Sequence, residues 1–287
     1  MRKLSICLAL VALCAVSIKA DTLKTADIFA VLAGSTVTNA AYPTIINGNL
    51  GVSPGSAVTG FPPGHVTGGT IHKGDAVAGL AQSDLTNAFT IEQGLPSSGG
   101  ITGGDLTGLT LGPGVYTVPA AASNLAGTLF LSDGGVAGSI FVFQMSSTLI
   151  TSPDSKIDVS GLSPSDSLFW VVGSTATLGD NTAFEGNILA LTSIGFDPGA
   201  TDLCGRALAE NGEVSFAGQN PSSLIQNQVS IGCVGTPGAG GGGFNGGGPV
   251  ATPEPGTLSL LALFSGIAFL RSKRRRVGNR KMAQARE

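Results

Sequence analysis

The sequence predicts a mainly β protein in which short strands are wound into a coiled stack, a β-solenoid, with one α-helix beside it. The first observation behind this prediction is a loose repeat of about nineteen residues between Thr177 and Phe216. The aligned positions are Gly186 with Gly205, Ile188 with Ala207, Ala190 with Ala209 and Thr182 with Thr201. A unit this short cannot bury its own apolar face, so copies must stack to build a core. The repeat leaves an ordinary β-sandwich with evenly spaced strands open as the alternative.

Composition is the second observation. Of the 287 residues 44 are Gly, and only 11 % are charged and 6 % aromatic, which is typical of an extracellular β protein rather than a cytosolic enzyme. Between Asp21 and Thr252 there are four cations against 16 acidic residues, a net charge of −12. A surface this acidic repels nucleic acid and anionic lipid, so we expect no nucleic-acid partner and membrane contact only through the C-terminal segment.

The N-terminus has the pattern of a secretory signal peptide over residues 1–20. Arg2 and Lys3 provide the charged start, an apolar run follows, and the small residue Ala20 precedes the predicted cleavage point. Removal of this peptide leaves two cysteines, Cys204 and Cys233. In an exported protein they are most simply one disulfide. Residues 21–233 are then the solenoid domain.

One segment has helical rather than strand periodicity. Within Asp75–Gln93 an apolar stripe recurs at helical spacing, with Asp75 as the predicted N-cap and Gly94 and Pro96 ending the helix. The stripe consists of Val77, Leu80, Ala81, Leu85, Ala88, Phe89 and Ile91. A lone amphipathic helix in a β protein must pack this stripe against the strand stack.

Short β-prone runs separated by turn residues make up the rest of the domain. Thr22–Thr70 is irregular and strand-prone, and Leu149–Gly161 looks like a degenerate copy of the repeat. Predicted strands follow at Leu109–Leu111, Val115–Val118, Thr128–Leu131, Ile140–Phe143 and Leu168–Val172. The last two are continuously apolar, which indicates burial on both faces and places Trp170 in the core.

The C-terminal region is different in character. Residues 234–251 are a Gly-rich linker, and Pro253, Glu254 and Pro255 open a segment, 252–276, in which an apolar run ends in a basic cluster. That cluster includes Arg274, Arg275 and Arg276, and residues 277–287 form a predicted cytoplasmic tail. The segment resembles the PEP-CTERM sorting signal of Gram-negative bacteria. The resemblance implies transient anchoring in the inner membrane, processing by an exosortase, and delivery to the outer surface or exopolysaccharide matrix. A plain C-terminal membrane anchor is the alternative.

The domain between Ala26 and Ser230 resembles the ice-binding-protein-like domain of bacteria, diatoms and snow fungi. The segments that carry the resemblance are NLGVSPG (49–55), VTGFPPG (58–64), LGPGVY (111–116), FVFQM (141–145), FWVVGS (169–174), GNILA (186–190) and GRALA (205–209). The resemblance implies a discontinuous right-handed β-solenoid of triangular section, with one long α-helix packed along its side. It also implies adsorption to ice, or to ordered water, through one flat face.

That family often carries a loose Thr-Ala/Gly-x-Thr/Asn pattern on its ice-binding face. In this chain the matching turn-to-strand segments keep the pattern only in part, because Asp180 and Pro198 replace the expected first Thr. The resemblance assigns ice contact to Thr151, Ser155, Asn181, Thr182, Ala183, Gly199, Ala200 and Thr201.

Enzyme and metal sites have little support in the sequence. None of the G-x-S-x-G, Walker A or H-E-x-x-H motifs is present, and His65 and His72 lie in a predicted Gly/Pro-rich loop without a Ser or Cys partner. The pairs Asp154/Asp158 and Asp180/Glu185 could mimic glycosidase carboxylates, but exported surfaces usually carry acidic groups for solubility. We therefore predict no enzyme, no cofactor and no metal. The predicted function is ice binding, with a structural or adhesive matrix protein as the alternative and a polysaccharide-active enzyme as a third.

Overall fold

The structure, a computed structural model, describes residues 22–40, 42–223 and 225–231. Short parallel strands dominate it and form three sheets, which we call A, B and C in the order in which the chain visits them. The signal peptide, Cys233, the Gly-rich linker and the predicted sorting segment lie outside the described residues. Among the described residues, no helix has both the length and the apolar character needed to cross a membrane.

Sheet A is the nine-stranded sheet. Its strands, in spatial order, are β7 (Ile71–Lys73), β4 (Asn49–Val52), β1 (Phe29–Ala33), β21 (Arg206–Ala209), β18 (Asn187–Ala190), β15 (Ser167–Val172), β12 (Ile140–Met145), β10 (Gly114–Val118) and β8 (Gly99–Gly100).

Sheets B and C are made the same way. The strands of sheet B are β13 (Leu149–Thr151), β16 (Ala176–Leu178), β19 (Ile194–Phe196), β22 (Val214–Phe216), β2 (Thr36–Asn39) and β5 (Ala57–Thr59). Those of sheet C are β6 (His65–Thr67), β3 (Thr44–Asn47), β23 (Asn227–Ser230), β20 (Thr201–Asp202), β17 (Ala183–Phe184), β14 (Lys156–Gly161), β11 (Thr128–Ser132) and β9 (Thr110–Leu111).

The strands follow the rotation A, B, C along the chain, except that β8 to β11 alternate between sheets A and C, and each pairs in parallel with its counterpart in the neighbouring coil. The stack is discontinuous in sequence. Strands β1, β2 and β3 from the N-terminal part stack on β21, β22 and β23 from the C-terminal part. The parallel pairing favours the β-solenoid over the β-sandwich, because a sandwich would have antiparallel strands.

The register confirms most of the predicted repeat. Ile188 pairs with Ala207 and Ala190 with Ala209. The alignment of Thr182 with Thr201 is wrong by one residue, because Thr201 pairs with Ala183. The second copy carries one extra residue between Asp202 and Arg206, where the chain turns from sheet C into sheet A.

Close packing at this turn requires glycine at the two aligned positions, Gly186 and Gly205. Gly186 has φ +108, and a Cβ there would lie 2.6 Å from Leu168 Cγ and 2.9 Å from Trp170 Nε1. Its counterpart Gly205 is tighter still, since a Cβ would lie 1.9 Å from the Gly186 carbonyl oxygen. Any larger residue would push the two coils apart.

The interior of the coils is one apolar core, and its aromatic centre confirms the assignment of Trp170. This ring is fully buried and stacks on Phe143 with a centroid separation of 4.1 Å. Phe184 packs on its other side at 5.1 Å. The indole nitrogen donates to the Glu185 carbonyl at 3.0 Å, so burial leaves no unpaired donor.

A second apolar layer lies between sheet A and the helix α1 (Ala76–Gln93). The predicted helix is confirmed, and Asp75 caps it by accepting from Ala78 N at 2.9 Å. The predicted stripe is only partly right, because Val77, Leu80 and Ile91 are 41 %, 61 % and 50 % exposed. The buried apolar residues of the helix are Ala78, Ala81, Leu85, Ala88 and Phe89. Three of these are Ala, so the helix backbone approaches the sheet closely and only a narrow stripe is covered.

Candidate functional site

The residues predicted to touch ice lie at the corner where sheet B turns into sheet C, and several of them point inward. Thr151 is 3 % exposed and Thr182 is 0 % exposed. Their hydroxyl oxygens lie 2.9 Å apart, and the Thr151 hydroxyl also accepts from Gly179 N at 2.9 Å. Ser155 is buried as well and donates to the Leu125 carbonyl at 2.8 Å. These hydroxyls supply hydrogen-bond partners for polar groups that are buried at the corner, and this structural role accounts for their presence there.

Gly199 and Ala200 are also buried. Gly199 has φ +79 at the turn, and a Cβ there would lie 2.5 Å from Asn181 Oδ1. A residue without accessible surface cannot contact a crystal of ice. The assignment of ice contact to Thr151, Ser155, Thr182, Gly199 and Ala200 is therefore corrected.

The three remaining predicted residues are half-exposed but do not form a surface of their own. Asn181 is held at the corner, where its amide donates to Asp154 Oδ1 at 3.1 Å and its carbonyl oxygen accepts from Ser223 at 2.7 Å. Ala183 and Thr201 lie side by side on the outside of sheet C. The ice-contact role of these three residues stays a prediction.

Sheet B presents a more regular outer surface, which we call the B face. Its central row holds, in register from one end of the sheet to the other, Ile150, Thr177, Gly195, Ser215, Thr38 and Thr59. The parallel row, two positions earlier on each strand, holds Thr148, Thr175, Ser193, Glu213, Thr36 and Ala57. Most of these twelve side chains are Thr or Ser and all but Glu213 are uncharged, so the face is a lattice of short hydroxyl-bearing groups.

The residues that alternate with the two rows hold the B face in place through contacts on the inner side of the sheet. They point inward, and Ala176, Ile194, Val214 and Val37 are fully buried. Neighbouring strands are about 4.8 Å apart and alternate residues along a strand are about 6.7 Å apart, so the outward side chains repeat on a fixed grid. Thr is restricted at χ1, which keeps its methyl and hydroxyl in place. The hydroxyls of Thr38, Thr177 and Ser215 form no hydrogen bond with any other described residue, which leaves them available to water.

The other two sheets offer less suitable outer surfaces. The outside of sheet A is covered by α1, whose Leu85 and Phe89 pack with Phe169 and Leu208. The outside of sheet C carries the Lys156–Asp158 ion pair at 3.0 Å and the 43 % exposed ring of Phe130.

The carboxyl group of the ion pair on sheet C is held in its charged form. Hydrogen bonds from Ser160 and Lys156 lower the pKa of Asp158 to about 2. Charged groups hold water tightly, so sheet C is the more hydrated surface.

Sequence reasoning missed the B face, although a local signal was present. Thr36 and Thr38, and likewise Thr175 and Thr177, alternate with buried residues at the period of two that defines one face of a strand. The N-terminal pair lies in the segment predicted to be irregular, and only the stacking of β2 on β22 shows that both pairs belong to one surface.

The acidic residues of the two possible glycosidase pairs interact with other side chains. Asp158 pairs with Lys156 and Asp154 accepts from Asn181. Asp180 has Asp197 as a charged neighbour, and Glu185 has both Lys156 and Asp202.

Asp202 is the unusual member of this group. It is 0 % exposed and occupies an inward position of sheet C between Phe184 and Val229. Burial, with the nearby Glu185 charge, raises the pKa of Asp202 well above its usual value, although Arg206 acts in the other direction. Burial also raises the pKa of Glu185 to about 8.

The two histidines lie on strands rather than in a loop, which corrects that prediction. His72 also has polar partners, since its Nε2 lies 2.9 Å from the Thr70 hydroxyl and its Nδ1 2.8 Å from Asp75 Oδ2. Its ring rests edge-on against Phe29 at 5.4 Å. Because Asp75 is also the N-cap of α1, this network ties the last coil of the stack to the start of the helix. Among the described residues, no three or more His, Cys, Asp or Glu side chains are arranged to hold a metal ion.

Cys204 is buried at the turn between β20 and β21 and is disulfide-bonded. Its partner lies outside the described residues, so pairing with Cys233 stays a prediction.

Comparisons with known proteins agree with this architecture. A family model described as "Ice-binding-like" matches residues 31–220. The chain is 42 % identical over 274 residues to an ice-binding protein of Nostoc sp. (strain HG1), and the match covers 94 % of each chain. The crystal structure of an ice binding protein from an Antarctic biological consortium is 40 % identical, with a TM-score of 0.63 over 74 % of this chain and 91 % of that one.

A more distant solved structure gives the same result. The ice-binding protein of the Antarctic ascomycete Antarctomyces psychrotrophicus is 34 % identical, with a TM-score of 0.63 over 73 % of this chain and 97 % of that one. The family model spans well over half of the chain, and the bacterial relative is matched over nearly its full length. This chain therefore belongs to the ice-binding-like family.

Proposed function

We propose that this protein adsorbs to ice through the B face and thereby restrains the growth of ice crystals. The observation that carries the proposal is the pair of in-register rows on sheet B, in which Thr36, Thr38, Thr175 and Thr177 share one surface. The relatives described above are themselves ice-binding proteins by name, which supports the same activity here.

The chemistry of the face fits this role. Each Thr offers a hydroxyl that hydrogen-bonds to water and a methyl group around which water orders. The side chains are already held by the strand pairing beneath them, so little conformational entropy is lost on contact with a solid lattice. Adsorbed molecules pin the growth front, and no covalent bond is made or broken.

We also infer the finer architecture and the route of export. Three parallel sheets visited in rotation imply a three-sided section, and parallel crossovers are right-handed in about 98 % of cases.

The signal peptide and the Pro253–Pro255 signal support export, exosortase processing and display at the outer surface or exopolysaccharide matrix of a Gram-negative cell. In that oxidising location the partner of Cys204 is Cys233, which peptide mapping of the unreduced protein would test.

A second function, adhesion within an extracellular matrix, has one observation in its favour. Phe130, Val136 and Ile140, on and between β11 and β12, are 43 %, 65 % and 39 % exposed. Adhesion through this region requires that these side chains form one contiguous apolar patch, as on contact surfaces. Replacing Val136 by Ser would weaken adhesion to the matrix and leave ice activity unchanged if the two functions use different surfaces.

The test of the main proposal is the thermal hysteresis of the purified protein and of two Tyr variants. Thr177→Tyr places a bulky ring in the centre of the B face, and Thr201→Tyr does the same on the outside of sheet C. We expect the first variant to lose most of the hysteresis and the second to keep it. Loss in Thr201→Tyr alone would move the site to sheet C, and round crystals without a freezing gap from the folded wild type would refute ice binding.

A further inference from the structure

We propose that Glu213 limits the ice affinity of the B face, so that this chain binds ice less tightly than its fold allows and a single substitution increases its activity. This inference rests on the proposed function. It concerns one residue of this chain, which interrupts a surface otherwise made of uncharged groups.

Glu213 lies in the row beside the central one and away from both ends of the stack of strands. It immediately precedes β22, the fourth of the six strands of sheet B, and lies in the same row as Ser193 and Thr36 on the two neighbouring strands. Within the two rows that define the B face it is the only charged residue, and it is exposed. Strands of the B face continue on both sides of β22, so the carboxylate is covered whenever these neighbouring strands meet a crystal.

The side chain of Glu213 also withdraws one neighbouring hydroxyl, that of Thr36, from the lattice. Its carboxylate Oε2 accepts from the Thr36 hydroxyl at 3.4 Å, across the gap to β2. Its backbone N–H donates to the Ser193 hydroxyl at 3.2 Å, on the other side. The carboxylate therefore turns toward Thr36, whereas the contact with Ser193 is made by the backbone and does not depend on the Glu213 side chain.

Physical chemistry gives the direction of the effect. A carboxylate is strongly hydrated, and ice has no site that replaces this hydration, so covering it opposes adsorption. Glu also has three rotatable side-chain bonds, and immobilising them costs more conformational entropy than immobilising Thr. Both contributions weaken binding, and both disappear when Thr replaces Glu.

The fold accepts Thr at this position. Thr175 and Thr36 hold the same row position on two other strands of sheet B, and Thr has a high preference for strands. The backbone donor of residue 213 remains, so its bond to Ser193 is kept. We find no buried contact of the Glu213 side chain among the described residues that the substitution would remove.

The experiment measures thermal hysteresis at equal concentrations of the full chain, with folding checked by circular dichroism melting. The variants are Glu213→Thr, Glu213→Gln, Thr177→Tyr and the control Asp105→Asn, which removes one negative charge from an exposed loop outside sheet B. Because the hydration cost of the carboxylate is removed, we expect roughly a twofold or greater increase for Glu213→Thr, a smaller one for Glu213→Gln, and none for Asp105→Asn.

The outcomes separate this inference from the proposed function. If the wild type is active, Thr177→Tyr is inactive and Glu213→Thr is no better than the wild type, the inference is overturned while ice binding through the B face stands. An equal gain in Asp105→Asn also overturns it, because the effect would then follow net charge. If neither the wild type nor Glu213→Thr shows hysteresis, the proposed function fails and the inference with it. If Glu213→Thr does not fold, the inference is judged on Glu213→Gln: an increase in thermal hysteresis supports it, and no increase overturns it.

Discussion

Thr38 lies directly beside Ser215 in the register of sheet B, although the two residues come from the N-terminal and C-terminal parts of the domain. The discontinuous stacking of β2 on β22 therefore joins two separate stretches of sequence into one surface. Without this junction the B face would be two shorter patches, of four strands and two strands.

This junction gives the first prediction. Thr38→Tyr should lower thermal hysteresis as strongly as Thr177→Tyr, because both residues lie in the central row of one face. The matched control is Thr128→Tyr, on the outside of sheet C. Unchanged activity in Thr38→Tyr would show that the N-terminal coil does not contribute to the ice-binding surface.

The second prediction concerns the ion pair that ties the N-terminal 3₁₀ helix, Lys24–Ile28, to the coils. Arg206 Nη2 lies 2.6 Å from Asp27 Oδ1, and both side chains are largely buried. Arg206 Nη1 also donates to Asn187 Oδ1 at 2.7 Å. Arg206→Met leaves the Asp27 carboxylate without its partner, so we expect the free energy of unfolding in urea to fall by about 3–5 kcal/mol.

The exposed pair Lys24–Asp84 is the control for this measurement. Its Nζ–Oδ1 distance is 3.6 Å, and the Lys24 side chain is 57 % exposed. Lys24→Met should cost less than about 1 kcal/mol, as is usual for surface pairs. Equal losses in the two variants would contradict the structural role assigned to Arg206.

The third prediction is a dependence of stability on pH that comes from two carboxyl groups near the turn from sheet C into sheet A. Burial raises the pKa of Glu185 from 4.5 to about 8 and raises that of Asp202 well above 3.8, against the opposing charges of Lys156 and Arg206. A raised pKa in the folded state means that the folded protein binds the proton more tightly than the unfolded chain does. The stabilisation is complete below the unfolded pKa and is lost as the pH rises through the folded pKa.

We therefore expect Glu185 alone to lower the free energy of unfolding by about 4 kcal/mol between pH 5 and pH 9, since close to three pKa units are lost over this range and each corresponds to about 1.4 kcal/mol. Glu185→Gln and Asp202→Asn should each flatten this decline. Asp158, whose pKa is lowered to about 2, has the opposite sign and loses its contribution only as the pH falls toward that value. A wild-type stability that is flat from pH 5 to pH 9 would contradict the burial of these carboxyls.

The comparison between sequence and structure shows which features are encoded locally. The Asp75 cap and the run of strand 168–172 carry their signals within a few residues, and both were predicted. The B face was missed because its strands in sheet B are mostly three or four residues long, and the chain turns at each corner. A Thr that follows such a turn, such as Thr182, points inward, whereas Thr177 in the preceding strand points outward.

The placement of Asp202 depends on contacts between coils and has no local signal. It occupies the inward position that Phe184 holds on the preceding coil. Sequence alone shows an acidic residue after a Thr, a pattern typical of an exposed turn. Only the pairing with Phe184 and Val229 shows that this carboxyl is in the core.

The most direct test of the proposed function is adsorption of the fluorescently labelled protein to a single ice crystal grown slowly from a dilute solution. We expect the wild type to concentrate on defined planes of the crystal and Thr177→Tyr to be excluded from it, since the variant differs only at the centre of the B face. Exclusion of the folded wild type, or equal adsorption of the two proteins, would contradict binding through this face.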